Sequence, residues 1–204
     1  MAVVRAETKR RQILDAARQL FLERGVDGAS TDGIAGAAGV SKETLYRYYA
    51  SKEELLVAVM RGMTVDRLFA PSAPTLPTAA TRADLEASLT SVVRDALDRL
   101  MDPAYLALCR LAFGESGRRP HLLEMFRAAV PEAGRGVLVA FLEDARSQGL
   151  LRSDLDVDVA ARLLIGPLLT WALMDGLMAG REAPRPPPKE ALDQLVRVFL
   201  EGAC

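Results

Sequence analysis

The apolar residues of this chain recur at helical spacing along almost its whole length. Between Thr8 and Arg24 they fall at positions i, i+1, i+4, i+7 and i+8, which places them on one face of a helix. The same spacing returns in later segments, and none of them alternates apolar and polar residues as a half-buried strand does. These patterns predict an all-α protein.

Composition agrees with a globular protein that has its own core. The chain has 204 residues, of which 50% are hydrophobic and 26% are charged, and this is ordinary for one or two folded domains. The formal net charge of −1 gives no general attraction for nucleic acid, so any such binding must be local. We expect a cytoplasmic protein without membrane contacts, because we find neither a signal peptide nor an uninterrupted apolar run of about 18 residues.

Few residues are available for catalysis or for metal binding. The two cysteines, Cys109 and Cys204, lie far apart in the sequence, and His121 is the single histidine. These residues exclude disulfide frameworks and zinc ribbons, and they disfavour catalytic triads that depend on histidine. We therefore predict that the protein is not an enzyme and uses no cofactor or metal.

Proline marks the boundaries along the chain. Residues 70–81 contain three prolines and almost no charge, which predicts a loop between four N-terminal helices and a second helical region. In that second region a long apolar helix is predicted from Asp156 to about Gly180. We expect Gly166-Pro167 to kink or split this helix, because proline removes one backbone hydrogen bond.

Two short predicted helices near the N-terminus are joined by a glycine turn. Ser30 and Ser41 are placed to cap them, Gly39 supplies the turn, and small alanines let the helices approach closely. This is a helix-turn-helix pattern, in which the second helix enters the major groove of DNA. Tyr49 is predicted to point into the core. The second helix offers donors, acceptors and flat rings for DNA at Lys42, Glu43, Thr44, Tyr46, Arg47 and Tyr48.

Several short runs in this region form a wider pattern. They are Ile13-Leu14-Asp15-Ala16-Ala17, Leu20-Phe21, Arg24-Gly25, Ile34-Ala35, the run from Ala37 to Tyr49, and Ser51-Lys52-Glu53. The pattern closely resembles the N-terminal domain of the tetracycline-repressor (TetR) family. That family consists of homodimeric bacterial regulators, mostly repressors, in which a small molecule bound to a helical C-terminal domain weakens binding to a palindromic operator.

The resemblance implies a division of roles along the chain. Residues 1–50 correspond to an N-terminal three-helix helix-turn-helix DNA-binding domain, and residues 51–68 to a connecting helix. Residues 82–204 correspond to a helical C-terminal domain for ligand binding and dimerisation.

The resemblance also implies which side chains meet operator DNA. Base-edge contacts fall to Lys42, Glu43 and Tyr46, and phosphate contacts to Thr44, Tyr48, Lys52, Ser30 and Thr31. The basic residues Arg5, Lys9 and Arg10 form an arm for the DNA backbone or the minor groove. Two interpretations of Glu43 stay open, because a carboxylate at the start of a helix either accepts from cytosine or faces away from the DNA.

We expect the C-terminal domain to bind a small hydrophobic or aromatic effector and to form the homodimer. The predicted effector-contacting residues are Leu89, Val93, Met101, Cys109, Phe113, Met125, Phe126, Phe141, Leu168 and Trp171. The predicted dimer faces lie on helices 156–180 and 189–202, with Leu164, Leu168, Trp171, Leu195 and Phe199. A place in the core is the alternative for the apolar side chains in both sets.

The sequence thus predicts a ligand-responsive transcriptional regulator, a homodimeric repressor that a small hydrophobic effector releases from a palindromic operator. The alternative is a dimeric DNA-binding regulator with no small-molecule effector. An enclosed cavity of about 300–1,000 Å³ within residues 83–178 would favour the first. A helical enzyme is a third class, but no nucleophile–base pair, metal-ligand set or phosphate loop supports it.

Overall fold

The computed structural model describes residues 2–68, 79–179 and 183–204, with side chains from residue 6 to residue 66 and throughout the other two ranges. In these ranges the chain is helical and contains no strand, which confirms the predicted all-α fold. The α-helices are α1 (Ala2–Gly28), α2 (Thr31–Ala37), α3 (Lys42–Tyr48), α4 (Lys52–Met63), α5 (Val65–Leu68), α6 (Arg82–Leu100), α7 (Pro103–Glu115), α8 (Pro120–Arg127), α9 (Ala133–Ser147), α10 (Val157–Trp171) and α11 (Lys189–Ala203). Two π-helical turns, Ala128–Glu132 and Ala172–Gly176, and one 3₁₀ turn, Leu177–Ala179, accompany them.

The helices form two compact units. The N-terminal unit comprises Met1–Met63 and Ala107–Val130, and the C-terminal unit comprises Thr64–Leu106 and Pro131–Cys204. A segment from the predicted domain 82–204 thus packs with the N-terminal helices, where α4 contacts both α1 and α8. The functional division of the chain stays a prediction.

Short polar side chains begin α2 and α3, as predicted. Ser30 Oγ accepts a hydrogen bond from the amide of Gly33 at 3.0 Å, and Ser41 Oγ accepts one from the amide of Thr44 at 3.1 Å. Each bond satisfies an amide that has no partner inside its helix and is worth about 1 kcal/mol.

The start of α4 differs in one detail from the capping box that Ser51-x-x-Glu54 predicts. Ser51 Oγ accepts from the amide of Glu54 at 3.0 Å, as expected. The carboxylate of Glu54, however, accepts from the amide of Ala50 at 2.7 Å. The predicted connecting helix 51–68 is not continuous. It consists of two helices, because α4 ends at Met63 and α5 begins at Val65.

Glycines with positive φ interrupt α1 and end α2. Gly25, at φ 71°, interrupts the regular backbone of α1 three residues before its last residue, Gly28. Gly39 has φ 65°, and the amides of Gly39 and Val40 donate to the carbonyls of Gly36 and Ala35 at 3.1 and 3.0 Å. This pair of bonds is a Schellman motif, which ends α2 and forms the turn of the helix-turn-helix.

An apolar core fills the N-terminal unit, in which α1 packs against α2 and α4, and α2 against α3. Large buried side chains on these helices are Ile13, Phe21, Ile34, Leu45, Tyr49, Leu55, Leu56 and Met60. Burying each of them contributes about 1.5–3 kcal/mol. The burial of Tyr49 confirms the prediction that it points inward.

The core of the C-terminal unit lies among α6, α9, α10 and α11. Its larger members are Leu85, Leu89, Val93, Leu97, Leu138, Phe141, Leu142, Val157, Leu164, Leu168, Leu192, Val196 and Leu200. Carboxylates fix two of these helix starts. Asp84 and Thr81 form a reciprocal capping box on α6, and Asp156 accepts from two amides of α10.

Pro167 does not end its helix, so of the expected kink or split at Gly166-Pro167 the split is wrong and the kink stays a prediction. The proline removes only one backbone hydrogen bond, and α10 continues through it between the buried Leu164 and Leu168. The irregular turn follows at Ala172–Gly176. Most of the predicted loop over residues 70–81 lies outside the described residues.

The segment Val157–Ala179 is long and apolar enough, at 23 residues, to cross a membrane by length and composition alone. Asp158, Arg162 and Asp175 interrupt the segment, so it does not contradict the expectation that no uninterrupted apolar run of about 18 residues occurs. A core helix of a soluble protein passes the same test, and Leu164 and Leu168 lie in the core of the C-terminal unit. We therefore interpret the segment as a core helix with an exposed apolar face.

Candidate DNA-binding surface

The predicted DNA-contacting side chains stand on three neighbouring elements of the N-terminal unit, namely the start of α2, the length of α3 and the start of α4. All eight are at least partly exposed: Ser30, Thr31, Lys42, Glu43, Thr44, Tyr46, Tyr48 and Lys52. Opposite them on α3, Leu45 is buried at 1% exposure. The helix thus turns one face to the core and the polar face outward. We call this outward face, with the starts of α2 and α4, the candidate DNA-binding surface.

Lys42 is paired within the protein. Its Nζ lies 2.9 Å from Oδ1 of Asp32 and donates to Oδ2 at 3.0 Å. The hydrogen bond and the charge of Asp32 raise the pKa of Lys42 above its ordinary value. Because both side chains are exposed, water and salt weaken the pair. Lys42 therefore exchanges a weak intramolecular partner for any DNA group that it binds.

Hydroxyl contacts connect the start of α2 with α3. Tyr46 donates to Thr31 Oγ1 over a long 3.5 Å, and the hydroxyls of Ser41 and Thr44 lie 2.9 Å apart. These groups both donate and accept hydrogen bonds. Their arrangement suits phosphate oxygens and base edges alike.

The end of α3 meets α1. Tyr48 donates to the carbonyl of Ala6 at 3.5 Å, and the guanidinium of Arg47 lies 5.8 Å from the Tyr48 ring centroid. Arg10 donates to the hydroxyl of Tyr49 at 3.4 Å. Burial raises the pKa of Tyr49 despite this cation. Arg10 of the predicted basic arm is thus tied to the end of α3.

A cluster of charges adjoins Lys52, which donates to the backbone carbonyl of Asp27 at 3.5 Å. The guanidinium of Arg119 contacts three carboxylates. Its Nη2 lies 2.6 Å from Oδ1 of Asp27, and its Nε lies 3.2 Å from Oε1 of Glu53. Its Nη1 lies 3.6 Å from Oε2 of Glu115. The hydrogen bond and the charge of Arg119 lower the pKa of Asp27. We call Asp27, Glu53, Glu115 and Arg119 the Arg119 cluster.

The sequence did not predict the acidic partners of the cations on this surface. Neither the pairing of Asp32 with Lys42 nor the Arg119 cluster follows from the spacing of residues in the sequence. Asp27 and Arg119 are 92 positions apart, and no local pattern connects them. Among the residues with described side chains, no three His, Cys, Asp or Glu are placed to hold a metal ion.

The predicted effector-contacting residues divide between the two units. In the C-terminal unit, Leu89, Val93, Met101, Phe141 and Leu168 are buried members of its core, and Trp171 packs against it. In the N-terminal unit, Cys109 is buried and Phe113 is 41% exposed. The rings of Phe113 and Phe126 meet edge to face, with centroids 5.9 Å apart, and Met125 is half-buried. The structure therefore brings six of the ten together in one core.

Two clefts open on the C-terminal unit. One, of about 840 Å³, is polar and includes Glu86, Arg94, Asp193 and Arg197 in its lining. The other, of about 510 Å³, is mainly apolar and lies between α10 and α11. None of the ten predicted effector-contacting residues lines either cleft. Both clefts are open to solvent.

The predicted dimer faces need a correction. Leu164 and Leu168 are 1% and 4% exposed and belong to the core of their own unit, while Trp171, Leu195 and Phe199 are half-buried. The reason is helical spacing, since the residues that pack inward from α10 recur every three or four positions. The exposed large apolar side chains of these two helices and the turns after α10 are Val159, Leu163, Leu169, Leu173, Met174, Met178 and Val198.

Both parts of the chain match known family models. Residues 13–59 match the model for bacterial regulatory proteins of the tetR family. Residues 87–202 match the model for the C-terminal domain of AefR-like transcriptional repressors. The second match alone covers more than half of the chain.

Relatives that match over most of their length agree with these models. The transcriptional repressor KstR2 of Rhodococcus jostii is 31% identical over 76% of this chain and 74% of its own. The solved structure of the flavonoid-responsive regulator FrrA is 32% identical, covers 96% of each chain and has a TM-score of 0.65. A TetR transcriptional regulator from Agrobacterium tumefaciens is 30% identical, with 95% of this chain and 94% of that chain covered and a TM-score of 0.66. Our chain therefore belongs to the tetR family of bacterial regulatory proteins, which are DNA-binding regulators of transcription and not enzymes.

Proposed function

We propose that this protein is a homodimeric cytoplasmic repressor that binds a palindromic operator and that a small hydrophobic effector releases from it. The observation that carries the proposal is the exposed polar face of α3, flanked by the starts of α2 and α4. The likeness to the repressor KstR2 supports repression as the outcome of binding.

A footprint on the DNA that flanks the protein's own gene tests the operator. Two recognition helices in a two-fold symmetric dimer require two half-sites about one duplex turn apart or a multiple of it. We expect protection of such a palindrome. Protection of a single site without two-fold symmetry would contradict the proposal.

Within the candidate DNA-binding surface we propose two kinds of contact. Lys42, Glu43 and Tyr46 read base edges, while Ser30, Thr31, Thr44, Tyr48 and Lys52 contact phosphates. Lys52→Ala should weaken binding to every sequence and lower the salt dependence by about one counterion per subunit, or about two per dimer. Lys42→Ala and Glu43→Ala should change which bases are preferred. Equal losses from all three variants on every operator sequence would contradict these roles.

The proposed effector is a mid-sized apolar or aromatic molecule. The regulator FrrA is flavonoid-responsive, and the ten predicted effector-contacting residues carry almost no charge that could pair with a charged ligand. Because five of them are buried in the core of the C-terminal unit, an effector that contacts them must displace core packing. We therefore expect effector binding to be coupled to a change in conformation.

Reciprocity between the two ligands tests this coupling. If a flavonoid such as quercetin weakens operator binding by some factor, saturating operator must weaken quercetin binding by the same factor. Titration calorimetry of quercetin with and without operator measures one factor, and titration of operator with and without quercetin measures the other. Tight quercetin binding that operator leaves unchanged would contradict release by this ligand.

A dimeric regulator with no effector is the second candidate. The observation that favours it is the burial of five of the ten predicted effector-contacting residues in the core of the C-terminal unit, together with two clefts that are open to solvent. A panel of apolar compounds that leaves both thermal stability and operator affinity unchanged would support this candidate.

A further inference from the structure

Arg119, at the start of α8, forms ion pairs with three carboxylates. It approaches one carboxylate at the end of α1, one in the first turn of α4 and one at the end of α7. The guanidinium group keeps its charge at any ordinary pH and presents its donors in a fixed plane. It can therefore fix these chain segments in one arrangement.

Most of the charged side chains of the Arg119 cluster are partly buried, so removing the cation should destabilise this part of the protein. The side chains of Glu53, Glu115 and Arg119 are only 17%, 20% and 22% exposed. Carboxylates in such positions repel each other when the cation between them is removed, and partly buried charges without a partner destabilise a protein. The exposed side chain of Arg118, at 79%, has Nη1 at the longer distance of 3.7 Å from Oδ2 of Asp27.

The Arg119 cluster lies directly beside Lys52. Glu53 follows Lys52 in the first turn of α4, and the carbonyl of Asp27 accepts the hydrogen bond from Lys52. Arg119 binds the carboxylates of both of these neighbours. It thereby holds the start of α4 against the end of α1, and it occupies the carboxylate of Asp27 that would otherwise attract the Lys52 ammonium.

We propose that Arg119 is a positioning residue for DNA binding, which neutralises Asp27 and Glu53 and so leaves Lys52 directed at an operator phosphate. The inference rests on the phosphate contact proposed for Lys52. When Arg119 is removed, Asp27 becomes a competing anion for Lys52. One phosphate contact in each subunit is then weakened, although Arg119 itself touches no DNA.

The test compares two neighbouring arginines. Operator affinity of the full-length Arg119→Gln and Arg118→Gln variants is measured by fluorescence anisotropy at several KCl concentrations. Both variants lose one positive charge at adjacent positions. We expect Arg119→Gln to bind about tenfold more weakly, with the salt dependence lowered by about one counterion per subunit, or about two per dimer, as in Lys52→Ala. We expect Arg118→Gln to change affinity less than about threefold without lowering the salt dependence.

Two further variants separate positioning from a loss of folding. Arg119→Gln combined with Lys52→Ala should bind no more weakly than Lys52→Ala alone, because both act on one contact. Arg119→Gln combined with Asp27→Asn should recover most of the affinity, because the competing anion is gone. A general loss of stability would not be reversed by Asp27→Asn. If Arg119→Gln fails to fold, Arg119→Lys keeps the charge and should show a smaller loss of the same kind.

Four outcomes would overturn the inference. Equal behaviour of Arg119→Gln and Arg118→Gln would remove the special role of Arg119, and additive losses with Lys52→Ala would separate Arg119 from Lys52. An unchanged salt dependence in Lys52→Ala would refute the proposed phosphate contact and, with it, the inference. A lowered salt dependence in Lys52→Ala with normal binding by Arg119→Gln would refute the inference alone.

Discussion

The ammonium group of Lys42, on the first turn of α3, lies within hydrogen-bond distance of both carboxylate oxygens of Asp32, on the first turn of α2. The bond connects the two helices of the helix-turn-helix outside their apolar core. Lys42 is also a proposed base-reading residue. Asp32 therefore competes with DNA for this side chain.

We predict that Asp32→Asn tightens binding to DNA of any sequence by about two- to tenfold, because it frees Lys42 and removes a negative charge close to the phosphates. In the Lys42→Ala background the same substitution should have a smaller effect, since only the general charge contribution remains. A double-mutant cycle on operator affinity measures the difference. An equal effect in both backgrounds would show that the pair does not compete with DNA.

We predict opposite effects of alanine at two glycines of the helix-turn-helix. Gly39→Ala should lower the free energy of unfolding by about 1 kcal/mol, because alanine is strained at φ 65°. Gly36→Ala, inside α2, should raise it by about 0.5–1 kcal/mol. An added Cβ meets no heavy atom within 4 Å at either position, so backbone conformation alone separates the two variants. Urea denaturation measures both, and a change of the same sign in both would contradict the prediction.

We predict that Leu163→Glu converts the dimer to monomers. Leu163 is 64% exposed on α10, and a charge there should disrupt an apolar contact between subunits. Sedimentation velocity measures the change, and operator binding should weaken because two half-sites are no longer bound together. Leu22→Glu, at a 38% exposed position on α1, is the control and should stay dimeric. Leu163→Glu that sediments like the unsubstituted protein would exclude this face.

We predict that Arg119 makes the stability of the protein more sensitive to acid. The pKa of Asp27 lies below its ordinary value of 3.8 because of Arg119, so this contribution is present above that value and is lost as pH falls through the lowered pKa. Between about pH 5 and pH 3, the unfolding free energy should fall more in the unsubstituted protein than in Arg119→Gln. Arg118→Gln serves as the control. Parallel pH profiles for the unsubstituted protein and Arg119→Gln would contradict the prediction.

Local chemistry explains which features of the fold the sequence could predict. Ser30, Ser41 and Asp156 cap helices through bonds that span only two or three residues, so their roles can be recognised from spacing alone. The positive φ of Gly39 follows from the same short-range logic. Each of these features needs no knowledge of the rest of the molecule.

Other features depend on distant parts of the chain. Leu164 and Leu168 were assigned to a dimer face, but α10 is apolar on several sides, so its sequence does not reveal which side is buried. α11 is more clearly amphipathic, and its buried residues Leu192, Val196 and Leu200 follow the expected period. The contact of Arg119 with Asp27 has no signal at all in a single sequence.

The N-terminal unit is assembled from two stretches of chain, Met1–Met63 and Ala107–Val130. This has a consequence for engineering hybrid regulators. A graft of the first 63 residues onto another member's C-terminal region would leave behind α8 and Arg119, and with them the partner of Asp27 and Glu53. The N-terminal unit that such a graft would transfer is thus discontinuous in sequence. A working chimera must carry both stretches, or the protein that receives the graft must supply a matching α8.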